Sequence, residues 1–460
     1  MRLSISILLL LIGCTLCGLA DIRDQLSALE GMRVKTIETR DGFNQSFEIF
    51  ISQPLDHQNP AAGNFEQRIY LDHYDITQPV IFITEGYQIN GHVRSELCDL
   101  LSANQLRVEH RFFGESVPDS LDWQYLTVRQ SVDDLHKIAE HFKSIYADKW
   151  ISTGISKGGQ TTLFHKRFYP NDVDVAIPMV APIPLAVEDK RLDEHLATVG
   201  TSECREAIEQ FQILMLEKRH ELIPLLEEWA IEKNEVFPHG ADTALEYTVL
   251  EYPFSFWQWG RWRCDQIPDL TASAAQIFSH IAKMNIFGLY TQKGITTYQP
   301  FFYQAMTELG YYGFVSNHLA HLLTSAPEPS NRPFAPQEAD LTYRPEVMQD
   351  IHQWLVNEGN EILYIHGELD TWSGAGVVPA TSVDALRMIN PGGYHDTRIG
   401  SFPPAMRQQI YGKLSEWLQR DVNESFFKRN FMLVNAAYML AILLMTLFLV
   451  YRKSQRAKNT

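Results

Sequence analysis

The stretch Ile151-Ser152-Thr153-Gly154-Ile155-Ser156-Lys157-Gly158-Gly159-Gln160 decides the fold of this 460-residue chain. It contains the pattern Gly-x-Ser-x-Gly, whose fixed positions are Gly154, Ser156 and Gly158. A short apolar run precedes the pattern and a helix-compatible segment follows it, so the context is strand, sharp turn and helix. Such a turn strains the serine backbone and exposes the hydroxyl at the carboxyl edge of a sheet. The pattern alone is weak, and the rest of the chain has to support it.

Oxyanion donors are expected at two places around this serine. The N–H group of Lys157 begins the predicted helix and points at an oxyanion that develops on the substrate. The second donor is expected from the loop after the apolar run Pro79–Thr84, as the N–H group of Gly86 or Tyr87.

Glu85 in the same loop suggests a further role. A carboxylate beside the cleft can bind the α-ammonium group of a peptide, as an aminopeptidase requires. The alternative is a structural salt bridge, for instance to Arg111.

Asp370 and His395 follow the serine in the order Ser, Asp, His that α/β-hydrolases use. Asp370 comes directly after the predicted strand Glu361–His366, and His395 lies in a glycine-rich loop before the last amphipathic helix. The 25 positions between them (395 − 370) leave room for one intervening helix. The imidazole takes the serine proton and the carboxylate orients the imidazole. Glu368 is the rival carboxylate, and a helix cap is the alternative role of Asp370.

Alternating apolar runs and helical stripes predict a parallel sheet with right-handed crossovers. We therefore expect an α/β-hydrolase core in two parts, residues 21–185 and 331–422, around a helical cap at residues 186–330. The predicted core strands are Phe47–Ile51, Phe65–Leu71, Pro79–Thr84, Leu106–Glu109, Val173–Val180 and Glu361–His366.

The cap region has long amphipathic segments and dense aromatic residues. Trp257 and Trp259 are the expected lining of the cleft roof, with helix packing as the alternative. Cys204 and Cys264 both fall in this region and are the preferred disulfide pair, which fits an exported protein.

The composition excludes several classes of function. A formal charge of −17 (39 − 56) without a basic stripe argues against nucleic acid as a partner. No cluster with metal-ligand spacing is evident, so neither a metal nor another cofactor is expected.

Both ends of the chain predict export and anchoring. Residues 1–20 read as a signal peptide, and Leu11-Ile12-Gly13-Cys14 leaves a lipid anchor on Cys14 as an alternative. Residues 431–451 are uncharged and long enough to span a bilayer as a helix. The basic residues of 452–460 predict a cytoplasmic tail, which places the catalytic body outside the cytoplasm.

Several stretches together resemble one family of exported serine exopeptidases. They are Gln53-Pro54-Leu55-Asp56-His57, Phe65-Glu66-Gln67-Arg68, Glu109-His110-Arg111-Phe112-Phe113-Gly114-Glu115-Ser116 and Gly154-Ile155-Ser156-Lys157-Gly158-Gly159. They are most similar to the bacterial secreted tripeptidyl aminopeptidases, in which Ser-Lys-Gly-Gly is typical of the elbow. The sister group is the Pro-X carboxypeptidase and dipeptidyl peptidase II family. The similarity spans about residues 47–418, and the C-terminal apolar segment departs from the usual soluble enzyme.

The resemblance implies a triad of Ser156, Asp370 and His395 and the release of short peptides from chain ends. The leading hypothesis is a membrane-tethered serine exopeptidase that acts on peptides with free N-termini through an acyl-enzyme on Ser156. A Pro-X carboxypeptidase, a dipeptidyl peptidase or an esterase is the alternative within the same chemistry. The alternative to an enzyme is a protein with a hydrolase fold that has no catalytic activity and serves in binding.

Overall fold

Nine strands form one sheet in the computed structural model of the chain, which describes residues 21–91 and 93–422. In space their order is β1-β2-β3-β5-β4-β6-β7-β8-β9. The strands are β1 (Met32–Ile37), β2 (Gln45–Pro54), β3 (Asn64–His73), β4 (Val80–Thr84), β5 (Asn104–Val108), β6 (Trp150–Ile155), β7 (Val175–Met179), β8 (Ile362–Gly367) and β9 (Ala385–Asn390).

The sheet is parallel from β5 to β9, whereas β1, β2 and β3 are antiparallel to their neighbours. The expectation of a parallel sheet is therefore correct for six strands and wrong for the first three. Short connections without an α-helix join those three strands, and such connections can only link antiparallel neighbours. The mixed sheet with a crossover between β4 and β5 is that of an α/β-hydrolase.

Twelve α-helices are described in residues 21–91 and 93–422. They are α1 (Ile22–Ser27), α2 (Glu96–Leu101), α3 (Val128–Lys143), α4 (Lys157–Phe168), α5 (Lys190–Leu196), α6 (Ser202–Glu217), α7 (Arg219–Lys233), α8 (Ala241–Trp259), α9 (Ala274–Met284), α10 (Gln292–Gln304), α11 (Pro345–Asn357) and α12 (Pro404–Leu418).

Helices cover both faces of the parallel strands, which explains why β4, β7 and β8 are buried along their whole length. On one face α2 and α12 pack against the sheet, and on the other α3, α4 and α11 do so. This placement leaves the carboxyl ends of the strands open to the inserted helices.

The helices α6 to α10 share a separate hydrophobic cluster that runs from Val199 to Phe334. A disulfide joins Cys204 to Cys264, with 5.3 Å between their Cα atoms, so the predicted pair is the one that the structure contains. Within α8, Pro253 has no N–H group for the Val249 carbonyl one turn earlier. The side chain of Gln212 donates to that carbonyl instead, at 2.7 Å.

Several elements differ from the sequence-based expectation. The strands β1 and β9 and the helices α1, α5 and α10 are additional. The interval between Asp370 and His395 contains a 3₁₀ turn, Thr371–Ala375, and the strand β9 rather than a helix.

No helix within residues 21–91 and 93–422 has the length and apolarity needed to cross a bilayer. The predicted signal peptide (1–20), spanning helix (431–451) and basic tail (452–460) lie outside the described residues.

A buried ion pair connects the strands to the helical layer. Arg111 is fully buried and contacts both carboxylate oxygens of Asp134 on α3, at 2.7 and 2.8 Å. Its remaining N–H groups donate to the carbonyls of Pro54, Leu55 and Tyr125. All five donors of the guanidinium are thus satisfied, which is the condition under which a buried charge is tolerated.

We expect Arg111→Met to destabilise the fold by about 3–5 kcal/mol, because it removes the guanidinium from the buried Asp134 carboxylate and leaves the His57 imidazole, 2.7 Å away, as the remaining partner. Chemical denaturation monitored by tryptophan fluorescence measures this change. Arg263→Met is the matched control, since Arg263 and its partner Asp265 are exposed. Equal midpoints for the two variants would contradict the role given to Arg111.

Candidate active site

The serine of the Gly-x-Ser-x-Gly pattern lies in the turn between β6 and α4, as a nucleophile requires. Ser156 has φ 56° and ψ −123°, a conformation that L-residues rarely adopt. Its N–H group donates to the Met179 carbonyl on β7, at 2.8 Å, and its carbonyl accepts from Gln160. The side chain makes no capping hydrogen bond to α4, so the hydroxyl is available for chemistry.

Three glycines allow the backbone around this turn to approach the loop after β4. A Cβ atom on Gly86 would lie 2.6 Å from both the Gly158 nitrogen and the Lys157 Cβ. A Cβ atom on Gly158 would lie 2.6 Å from the Thr84 carbonyl oxygen, and one on Gly154 would overlap the Gly158 carbonyl. Any larger residue at these positions would separate the turn from the loop.

Asp370 and His395 form a hydrogen-bonded pair at the ends of β8 and β9. His395 Nδ1 lies 2.8 Å from Asp370 Oδ2, and both residues are buried. Asp370 Oδ1 also accepts from the Trp372 N–H group, at 3.2 Å. The same carboxylate therefore caps the 3₁₀ turn and orients the imidazole. Glu368, the rival carboxylate, instead accepts from the Gly392 N–H group.

One cavity of about 820 Å³ contains Ser156 and His395 in its lining. Its floor is the carboxyl edge of the sheet, and residues of α8 and α10 with the segment around Tyr311 form the opposite wall. The volume lies within the roughly 300–1,000 Å³ that ligand pockets occupy. The structure therefore brings the predicted nucleophile and base together beneath the inserted helices.

The predicted oxyanion donors lie beside the serine. Neither the Lys157 nor the Tyr87 backbone N–H group has an acceptor among the described residues. The Lys157 side chain donates to the Gly86 carbonyl, at 2.6 Å, and lies 5.2 Å from the Phe113 ring centre. Burial holds the pKa of the Lys157 ammonium well below its usual range. The carbonyl and the N–H group of a trans peptide point in opposite directions. Because the Gly86 carbonyl points at the Lys157 ammonium, the Tyr87 N–H group points away from that ammonium.

Glu85 lines the cavity, but it already has a cationic partner. Its Oε1 atom lies 3.3 Å from Arg107 Nε, so the salt-bridge alternative is realised with Arg107 and the suggested partner Arg111 is wrong. Arg111 lies in the Asp134 pair instead. Burial raises the pKa of Glu85, and the Arg107 charge opposes that rise.

The two predicted tryptophans differ in position. Trp259 lines the cavity and its ring meets the His395 ring edge-on, with 5.6 Å between centres. Trp257 faces the interior of the inserted helices, where it is buried against Phe256 and Gly200. The assignment of Trp257 to the cleft is therefore wrong, because two positions along a helix correspond to a rotation of about 200°.

Some cavity residues were not anticipated from the sequence. Glu251 on α8 and the aromatic pair Tyr311 and Tyr312 line the wall opposite the serine. The only available signal was a carboxylate within the otherwise uncharged run Tyr247–Trp259, which is unusual on a buried helix. No group of three His, Cys, Asp or Glu side chains within the described ranges is arranged to hold a metal ion.

Two protein sequences are similar to this chain over different lengths. A prolyl tri/tetrapeptidyl aminopeptidase of Streptomyces mobaraensis is 32% identical over 407 residues, a match that covers 86% of this chain and 85% of that protein. A prolyl carboxy peptidase like protein 5 of Caenorhabditis elegans is 28% identical over 157 residues, covering 30% and 31%.

Among solved structures, a proline iminopeptidase of Mycobacterium smegmatis aligns with a TM-score of 0.40 and 14% identity, over 80% of this chain and 99% of that one. The family model described as PS-10 peptidase S37 matches residues 17–427. The chain therefore belongs to the PS-10 peptidase S37 family and is a serine peptidase.

Proposed function

We propose that the protein is an aminopeptidase that releases tripeptides from free N-termini through an acyl-enzyme on Ser156. The observation that carries this proposal is the cavity beneath the inserted helices whose lining includes both Ser156 and His395, the base that Asp370 orients. The relative from Streptomyces mobaraensis, whose name gives tri- and tetrapeptidyl aminopeptidase activity, supports the choice of chain end.

In the first half of the reaction, His395 Nε2 takes the proton of Ser156 as the hydroxyl oxygen attacks the scissile carbonyl carbon. The new C–O bond converts the carbonyl oxygen to an oxyanion, which the backbone N–H groups of Lys157 and Tyr87 stabilise. We favour Tyr87 over Gly86 as the second donor because Lys157 fixes the Gly86–Tyr87 peptide. The C–N bond then breaks, and the imidazolium gives its proton to the leaving amine.

Water completes the second half by the same route. His395 takes a proton from water as the water oxygen attacks the acyl carbon, and the proton returns to Ser156 as the ester bond breaks. Asp370 stabilises the imidazolium in both halves.

A carboxypeptidase is the alternative, and the cavity does not favour it. Such an enzyme needs a cation for the substrate's terminal carboxylate. Two of the three arginines that line the cavity are paired, Arg94 with Asp99 and Arg107 with Glu85. The third, Arg398, donates to the carbonyls of His395 and Thr397 and lies within range of the charges of Glu96 and Asp396.

We further propose that the protein is exported and tethered through residues 431–451, with residues 452–460 in the cytoplasm. The absence of charge in the first range and the basic residues in the second support this proposal.

The function is tested with tripeptide amides of a coumarin that carry Pro or Ala before the scissile bond. We expect the purified protein to hydrolyse the substrates with a free N-terminus and to lose at least tenfold in kcat/KM when that terminus is acetylated. Ser156→Ala should lower kcat by about 10⁶-fold, because the nucleophile is lost.

Ser202→Ala is the matched control, since Ser202 is exposed on α6. A fluorophosphonate probe should label the wild type at Ser156 and leave Ser156→Ala unlabelled. Equal turnover of free and acetylated substrates would reject the aminopeptidase proposal while retaining the serine peptidase.

We expect Gly86→Ala to lower kcat by about 10²-fold, because the added methyl group would push the oxyanion loop away from Lys157 and Gly158. Steady-state kinetics on the free tripeptide substrate measures this change. Gly412→Ala is the control, because a Cβ atom on Gly412 has no neighbour within 4 Å. An unchanged kcat in Gly86→Ala would exclude this loop from the oxyanion site.

We expect the full chain to remain with membranes after carbonate extraction, because an apolar span resists it, and a variant that ends at residue 422 to be released. Activity in the two fractions measures the distribution. Release of both forms would reject the spanning helix. Retention of both would favour a lipid on Cys14, which Cys14→Ala tests.

A further inference from the structure

Four carboxylates line the cavity that contains Ser156: Glu85, Glu96, Glu251 and Asp396. Three of them have a cation nearby or are open to solvent. Glu85 pairs with Arg107, Glu96 accepts the N–H groups of Ile399 and Gly400 within range of the Arg398 charge, and Asp396 is exposed. Glu251 is only 3% exposed, and no Lys, Arg or His side chain in residues 21–91 and 93–422 pairs with it.

The contacts of Glu251 leave its charge without a counter-charge. Oε1 accepts from Ser255 Oγ at 2.7 Å, and Oε2 accepts from the Tyr312 hydroxyl, so both partners are neutral donors. Burial raises the pKa of Glu251 to about 7, against the opposing effect of these two hydrogen bonds. A buried carboxylate in this state is stabilised when a cation reaches it.

The surroundings of Glu251 suit a cation of small size. The rings of Tyr290, Tyr311 and Tyr312 lie close enough for the carboxylate to raise the pKa of their hydroxyls, in addition to the effect of burial. Aromatic faces attract an ammonium group, and this attraction grows when water is excluded. Carboxylate and rings together form a site for an amine at one end of the cavity.

The helix α8 fixes how far this site lies from the catalytic base. The Gln258 carbonyl near its end accepts the His395 N–H group, at 2.9 Å. Glu251 precedes Gln258 by seven positions (258 − 251), which corresponds to about 10 Å along the helix axis. Three extended residues also span about 10 Å. The backbone spacing between Glu251 and the residue that contacts His395 therefore matches the length of three extended residues.

We propose that Glu251 binds the α-ammonium group of the substrate and that its place on α8 limits the released product to three residues. This inference rests on the proposed aminopeptidase function. It transfers to Glu251 the role that the sequence suggested for Glu85.

The test compares Glu251→Gln with Glu85→Gln in the full chain. The substrates are coumarin amides of di-, tri- and tetrapeptides, each with a free and an acetylated N-terminus. For Glu251→Gln we expect kcat/KM on the free tripeptide to fall at least tenfold, mainly through KM, because a charge-assisted hydrogen bond is lost. The preference for three residues over two or four, and for free over acetylated termini, should fall with it.

Product inhibition supplies a second readout that reports the affinity for the amine rather than the rate of the chemical step. The inhibition constant of the free tripeptide Ala-Ala-Pro should rise at least tenfold in Glu251→Gln, whereas that of its acetylated form should change little. Glu251→Asp keeps the charge and should retain the preference for a free terminus. Thermal unfolding and fluorophosphonate labelling show whether each variant is folded.

Each result separates this inference from the proposed function. If the wild type makes no distinction between free and acetylated substrates, the aminopeptidase function fails. If the wild type distinguishes them and Glu251→Gln does so equally, the function stands and the role of Glu251 is rejected. Loss of the distinction in Glu85→Gln alone would assign the amine to the other carboxylate. Should Glu251→Gln not fold, Glu251→Asp is compared with the wild type on the three peptide lengths. Its shorter side chain displaces the bound amine, so we expect a weaker preference for three residues, and an unchanged length preference overturns the proposal.

Discussion

The close approach of two backbone segments is the constraint on which the site depends. The loop after β4 lies directly against the first turn of α4, and the Thr84 hydroxyl donates to the Gly158 carbonyl, at 2.9 Å. This contact exists only because β4 and β6 are neighbours in the sheet, which in turn requires β5 to lie on the far side of β4. The strand order and the glycines therefore act together, and neither alone would place amide donors beside Ser156.

Polar residues from the Glu-His-Arg stretch support this loop from behind. The Glu109 carboxylate accepts the N–H groups of Ile89 and Glu115, at 3.0 and 2.9 Å, and the His110 N–H group donates to the Tyr87 carbonyl. The Glu-His-Arg stretch, which most suggested a peptidase family, therefore has a structural role. It holds the loop in place, while the reacting atoms come from other residues. Buried and fully bonded polar groups fix such a loop more uniquely than apolar packing would.

The sequence predicted elements whose signal is local. The strands β4 and β8 have continuous apolar runs, and the turn at Ser156 has glycines that only such a turn requires. The edge strand β1 was missed because half of its residues are exposed and half are polar. The strand β9 was missed although four of its six residues are apolar, because a helix was expected between Asp370 and His395. The helix α10 was missed since it contains Gly, Pro and three β-branched residues, which weaken its helix propensity.

Tertiary contacts accounted for the remaining differences. The choice of Arg107 rather than Arg111 as the partner of Glu85 depends on which strand neighbours β4. The order of the strands in the sheet cannot be read from the sequence. Asp370 and His395 were predictable because the fold requires them at the ends of late strands. The role of Glu251 was not predictable, because it depends on the absence of a cationic side chain from the part of the cavity that the inserted helices enclose.

The helix α8 connects the inserted helices to the catalytic loops at more than one point. Besides the contact of Gln258 with His395, the Phe254 carbonyl accepts from the Thr371 hydroxyl, at 3.1 Å, next to Asp370. The loops of the acid and the base are therefore both bonded to one helix. A displacement of α8 would move the orienting carboxylate, the imidazole and the wall of the cavity together. Substrate length and catalytic geometry are in this way coupled through the backbone of one element.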